Sequence, residues 1–167
     1  INNGILNTTF NSYLNDSFSP SEAIRGAIEF PREFPGFIMI FVTSALAAFS
    51  LRSWAVLVGL ISAVGVTGMG FLSPTLSVML IWMFLWSLAD HLYMPVESTI
   101  GLHLADKGRE GRRLGQINGY RSLAMVLGAG IAWLVSRFFS SPLPATRPIS
   151  LYHWLFGIAA VAALLAA

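Results

Sequence analysis

The sequence predicts an all-α fold, a polytopic transmembrane helical bundle of about six spans. Of its 167 residues, 55% are hydrophobic and 11% are charged, whereas soluble domains carry roughly 25% charged residues. So few charges cannot cover a water-facing surface. Apolar stretches of about twenty residues recur along the chain, and a helix rising ~1.5 Å per residue crosses ~30 Å of hydrocarbon in that length. Short polar connections bearing Pro or Arg separate these stretches.

Composition also narrows the function classes. A net charge of +2 comes from sparse basic residues, which in such a chain report membrane orientation and not nucleic-acid binding. There is no Cys, so disulfides, thiol catalysis and Cys-ligated metals are excluded. No cofactor is expected, and the sequence lacks HExxH, GxSxG and a phosphate-binding GxxxxGK[ST] motif.

Taken in order, Ile1 to Leu14 reads as a helix, with Asn3, Asn7 and Asn11 at i, i+4 and i+8 on one face. Asn15 to Pro35 is polar. Ser19-Pro20-Ser21-Glu22 gives it an N-cap, an N1 proline and a capping-box glutamate, predicting a short extracytoplasmic surface helix over about 20–30. Pro31 and Pro35 are expected to reset the chain before a span over 37–51. Arg52-Ser53 then predicts a tight turn, Trp54 to Leu72 a glycine-rich span, and Ser73-Pro74-Thr75 a second turn. Leu76 to Ala105 is a long span that Pro95 is expected to kink. A charged loop over 106–113, a span over 114–139, a Pro-rich turn over 140–148 and a last span from Leu151 complete the reading.

Short-loop cations set the orientation. Arg52, Lys107, Arg109, Arg112 and Arg113 fall on one side, and Arg25, Arg32, Arg137 and Arg147 on the other, which places the 106–113 loop in the cytoplasm. The chain reads as one transmembrane domain over 1–167 and as a piece of a longer protein, with no signal peptide in its first residues.

Ionisable side chains within a span cost several kcal/mol unless paired or watered, so they are functional candidates. The fourth span holds Asp90, His91, Glu97 and His103, with Asp90, Met94, Glu97 and Gly101 on one face and His91 on the next. Glu97 lies eight residues before Ala105 and Arg121 nine after Arg112, so both sit ~12 to 14 Å from neighbouring helix ends. That equal depth predicts a Glu97–Arg121 ion pair with a structural or gating role. Asp90, deeper and without an obvious partner, is expected to face a substrate cavity with His91, Asn7 and Asn11. Gly111, Gly115 and Gly119 form a small-residue stripe suited to close helix approach.

The block Leu88-Ala-Asp-His-Leu-Tyr-Met-Pro-Val-Glu-Ser98, running into Gly101 to Asn118, is similar to fourth-span, loop and fifth-span sequences of bacterial major facilitator superfamily transporters. Arg25-Gly-Ala-Ile-Glu-Phe-Pro-Arg-Glu-Phe-Pro-Gly36 resembles the stretch entering the second span in some members. The chain departs from the superfamily in having only Phe49-Ser-Leu-Arg-Ser53 where its best-known loop motif lies, and in lacking a Pro beside Gly128-Ala-Gly130. The resemblance implies the N-terminal six-helix half of a bacterial inner-membrane secondary transporter that works by alternating access. Its partners would be a small-molecule substrate, a coupling proton or sodium ion, the lipid bilayer and a C-terminal half of the same protein, with no nucleic acid. Arg109, Arg112 and Arg113 would be cytoplasmic loop charges whose contacts change as the halves move. An intramembrane enzyme using Asp90 and His91 as acid and base, or a structural membrane subunit, is the alternative.

Overall fold

The computed structural model of the chain describes residues 1–46, 50–139 and 148–166. Among them lie six α-helices, α1 (Asn2–Phe18), α2 (Glu22–Leu46), α3 (Leu51–Phe71), α4 (Leu76–His103), α5 (Glu110–Phe138) and α6 (Ile149–Leu165). Three of these, α3, α4 and α5, are long and apolar enough to cross a membrane, and α6 is a shorter apolar helix. Among the described residues the architecture is therefore all-helical, with three helices that could span a membrane.

Local chemistry fixes the helix ends. Ser50 accepts the Ser53 amide at 3.2 Å to cap α3, and Thr75 accepts the Val78 amide at 3.4 Å to cap α4. Ser19 closes α1 in the left-handed region at φ 44°, its amide returning to the Asn15 carbonyl at 3.0 Å. The α4–α5 connection turns at Gly108, whose φ of 80° suits a residue without Cβ.

Three boundaries differ from the sequence expectation. The helix expected over about 20–30 does not stop there, because α2 runs on through Pro31 and Pro35 to Leu46. A proline removes one intrahelical amide and crowds the carbonyl four residues back. In a membrane bundle a neighbouring hydroxyl can meet the disturbed backbone, and the Ser87 hydroxyl of α4 donates to the Arg32 carbonyl between the two prolines. The loop expected over 106–113 is shorter, since α5 begins at Glu110 and takes Arg112 and Arg113 into its first turn. Charged residues are compatible with a helix that emerges from lipid. Arg52 and Ser53 lie in the first turn of α3, not in a turn between helices. The Pro-rich turn over 140–148 falls, apart from Pro148, outside the described residues.

Packing follows a pattern. The broadest pairings are α1 with α5 and α6, α4 with α2 and α3, and α3 with α6. Exchanging α1, α2 and α3 for α4, α5 and α6 reproduces that set. Gly65 lets α3 approach α4 so closely that an added Cβ would lie 2.6 Å from the Trp86 amide nitrogen. Gly4 and Gly128 do the same where α1 crosses α5, each abutting backbone of the other helix. The expected stripe of Gly111, Gly115 and Gly119 has nothing within 4 Å of any added Cβ, so it serves no contact among the described residues.

The core gathers Ile5, Leu6, Phe10 and Tyr13 of α1, Met69 of α3, Met79 and Met83 of α4, and Tyr152, Leu155 and Phe156 of α6. Tyr13 is its hub. Its ring packs edge-on against Phe156 at 4.8 Å and Tyr152 at 5.2 Å, while its hydroxyl donates to the Met69 carbonyl at 2.7 Å. Such aromatic pairs contribute roughly 0.5–1.5 kcal/mol each beyond burial.

Candidate functional site

The helix arrangement leaves a cavity of about 170 Å³ between the start of α1, the first half of α3, the second half of α4, the first half of α5 and the end of α6. Its walls are largely small or apolar, with Ala55, Val58 and Gly59 from α3 and Ala162 and Ala163 from α6. Against this lining stand seven polar side chains, Asn2 and Asn3 of α1, Ser62 of α3, Asp90, Tyr93 and Glu97 of α4, and Arg121 of α5. Asp90, Tyr93 and Glu97 share one face because three and seven residues bring a helix back to nearly the same side.

The polar groups pair across helices. The Asn3 amide donates to the Asp90 carboxylate, tying α1 to α4. The Asn2 amide donates to the Ser62 hydroxyl at 2.9 Å, tying α1 to α3. Arg121 Nη1 lies 3.9 Å from Glu97 Oε2, with the two side chains 27% and 18% exposed, so the pair joins α5 to α4 at the cavity wall. It is a coulombic contact and not a hydrogen bond at that length. The side-chain Oδ1 of Asn2 is buried and has no hydrogen-bond partner among the described residues, an arrangement that costs about 1–3 kcal/mol.

The predicted site residues separate. Asp90, Glu97 and Arg121 line the cavity. His91 does not, because one residue rotates a helical position by about 100° and turns the ring toward α2. There His91 Nδ1 lies 2.9 Å from the Ser87 carbonyl and Nε2 3.6 Å from Glu33 Oε2. The Nδ1 contact needs a proton on Nδ1, and the Glu33 contact is an ion pair only when Nε2 is protonated as well. Glu33 also meets Arg32 at 3.2 Å, and Arg32 meets Glu29 at 2.9 Å, forming an ionic chain along α2. Asn7 and Asn11 are exposed and absent from the cavity lining. Only Asn3 of the asparagine stripe reaches α4. Arg109 and Arg112 are exposed at the start of α5, and Arg113 is half-buried.

Sequence reasoning missed Asn2, Ser62 and Tyr93. Tyr93 had a usable signal, since it shares a helical face with Asp90 and Glu97. Asn2 and Ser62 had none, because their pairing depends on how α1 rotates against α3. A wider cavity of about 610 Å³ opens at the other end of the bundle near Asp16, Ser73 and His153. Its polar groups are largely committed already, with Tyr13 bonded to Met69 and Asp16 accepting from Tyr152 at 2.5 Å. No family model, curated protein or solved structure matches the chain.

Proposed function

We propose that the chain is one half of a secondary active transporter of the major facilitator type, moving a small solute across the membrane by alternating access. The observation that carries this reading is the cavity in which Asp90 sits near the middle of α4 among side chains from α1, α3, α5 and α6. An intramembrane carboxylate held against a cavity by a neutral amide is costly unless it serves a ligand or ion pathway. The exchange pattern of the helix pairings adds support, because many carriers are built from inverted three-helix repeats with the site at the repeat interface. Asn3 of the first unit and Asp90 of the second meet at that interface.

The exposed faces fit a second half-bundle and lipid as neighbours. On α5 only Gly128 and Ala132 are buried, while Tyr120, Val126 and Trp133 are exposed. Asn7 and Asn11 lie on the exposed side of α1. In this reading they meet the solute path only when the other half is present. Asp90 and His91 point to different neighbours, α1 and α2, which weighs against an acid–base pair acting on one substrate.

The test is saturable uptake by the full-length protein in proteoliposomes, screened over amines, amino acids, sugars and carboxylates. Accumulation of a solute that Asp90→Asn abolishes, with insertion into the vesicles unchanged, is the expected result. Uptake indifferent to Asp90→Asn, or no counterflow of any solute in the panel, would refute the proposal.

A further inference from the structure

The polar lining of the cavity points to the kind of solute it suits. One N–H of each asparagine amide is directed at a protein acceptor, Asn2 to Ser62 and Asn3 to Asp90. The Asp90 carboxylate has room for several hydrogen bonds and receives one from a neutral amide among the described residues. Charge points the same way, since the lining side chains carry the carboxylates of Asp90 and Glu97 against the single guanidinium of Arg121. Arg121 lies against Glu97, which is two helical turns, roughly 10 Å, along α4 from Asp90. The carboxylate left over is Asp90.

From this uncompensated charge we infer that the cavity binds a small solute through a primary or secondary ammonium group, with Asp90 as the anionic partner. An ammonium supplies one positive charge and N–H donors to a carboxylate that has no cationic partner among the described residues. A carboxylate solute would face Asp90 at short range. The size of the site fits too, because about 170 Å³ falls below the ~300–1,000 Å³ of drug-sized ligand pockets. Opposite the ammonium, the alanines and Gly59 leave space for a short apolar or weakly polar remainder, and the Glu97–Arg121 pair marks the far end.

This inference rests on the carrier reading, and a binding measurement separates the two. Full-length protein in detergent is titrated calorimetrically with propylammonium, propionate, propanol and sodium ion. Propylammonium should bind saturably, and propionate and propanol should not. Asp90→Asn should weaken propylammonium roughly ten- to a hundredfold, the scale of one charge-assisted hydrogen bond, while Asp90→Glu, which keeps the charge, should lose less. Thermal unfolding of each variant identifies any that has lost its fold, and the four-ligand comparison on the unaltered protein needs no variant. Preference for propionate or propanol, equal competition by sodium ion, or binding unchanged in Asp90→Asn would overturn the inference. Asp90-dependent ammonium binding without any transport would defeat the carrier reading and leave this one standing. Transport of an anion or a neutral solute, with no ammonium binding, would do the reverse.

Discussion

Gly65→Ala offers a direct test of the α3–α4 packing. A Cβ at position 65 would sit 2.6 Å from the Trp86 nitrogen and 3.0 Å from both the Trp82 oxygen and the Trp86 Cα. Ordinary van der Waals contact begins at 3.4 Å, so α3 and α4 must separate by about 0.8 Å, the difference between 3.4 and 2.6. The obstructing atoms are mostly helix backbone, which cannot rotate aside. Overpacking of this kind costs roughly 1–3 kcal/mol, and the better helix propensity of Ala returns about 0.8–1 kcal/mol. A net loss of about 0–2 kcal/mol is expected. Gly115→Ala is the matched control, because nothing lies within 4 Å of that position in the chain, and it should be neutral or stabilising by up to about 1 kcal/mol. Equilibrium unfolding of the chain in mixed micelles, followed by tryptophan fluorescence, reads both, since Trp82 and Trp86 stand at the contact. Equal shifts for the two substitutions would refute the close approach of α3 to α4.

Other outcomes follow from single contacts. Tyr13→Phe keeps the aromatic cluster and removes the hydroxyl bonded to the Met69 carbonyl, so the unfolding midpoint should fall by an amount worth about 0.5–1.5 kcal/mol. Glu97→Gln leaves Arg121 partly buried beside a neutral amide and should destabilise by about 1–3 kcal/mol, below the ~3–5 kcal/mol of a fully buried pair because both side chains retain some exposure. Adding Arg121→Gln should recover part of that loss, and a double-mutant cycle measures the coupling. Ser87→Ala removes the donor to the Arg32 carbonyl between the two prolines of α2. Faster amide exchange around 31–37 than in α3 is the expected readout, and unchanged protection there would mean that the hydroxyl does not stabilise the interrupted ladder.

Hydropathy made α3, α4 and α5 legible because each is a long and predominantly apolar helix. It was a poor guide to helix ends. Arg112 and Arg113 precede the apolar stretch, whereas the hydrogen-bonded ladder of α5 begins at Glu110. The α2 boundary failed for a related reason. Pro31 and Pro35 interrupt a ladder locally, and the compensating donor, Ser87, lies more than fifty positions later in the chain. In the site, Asp90, Tyr93 and Glu97 follow from helical periodicity alone. The depth argument for Glu97 and Arg121 needed only the rise per residue and antiparallel neighbours. The asparagine stripe shows the limit, since periodicity puts Asn3, Asn7 and Asn11 on one side of α1 but only the tilt of α1 decides that Asn3 alone meets α4.

The pairing scheme also has a consequence for biosynthesis. The broad packing faces of α1 belong to α5 and α6, which begin only at Glu110 and Ile149. During synthesis, α1 is therefore without the partners of those faces while the intervening helices are made. Asn2 and Asn3 have no access to Ser62 and Asp90 until α3 and α4 arrive, and Gly4 has no seat until Gly128 does. A chain halted after α4 would still lack the backbone that packs into the notch at Gly4, and the arrival of α5 is the event that fills it.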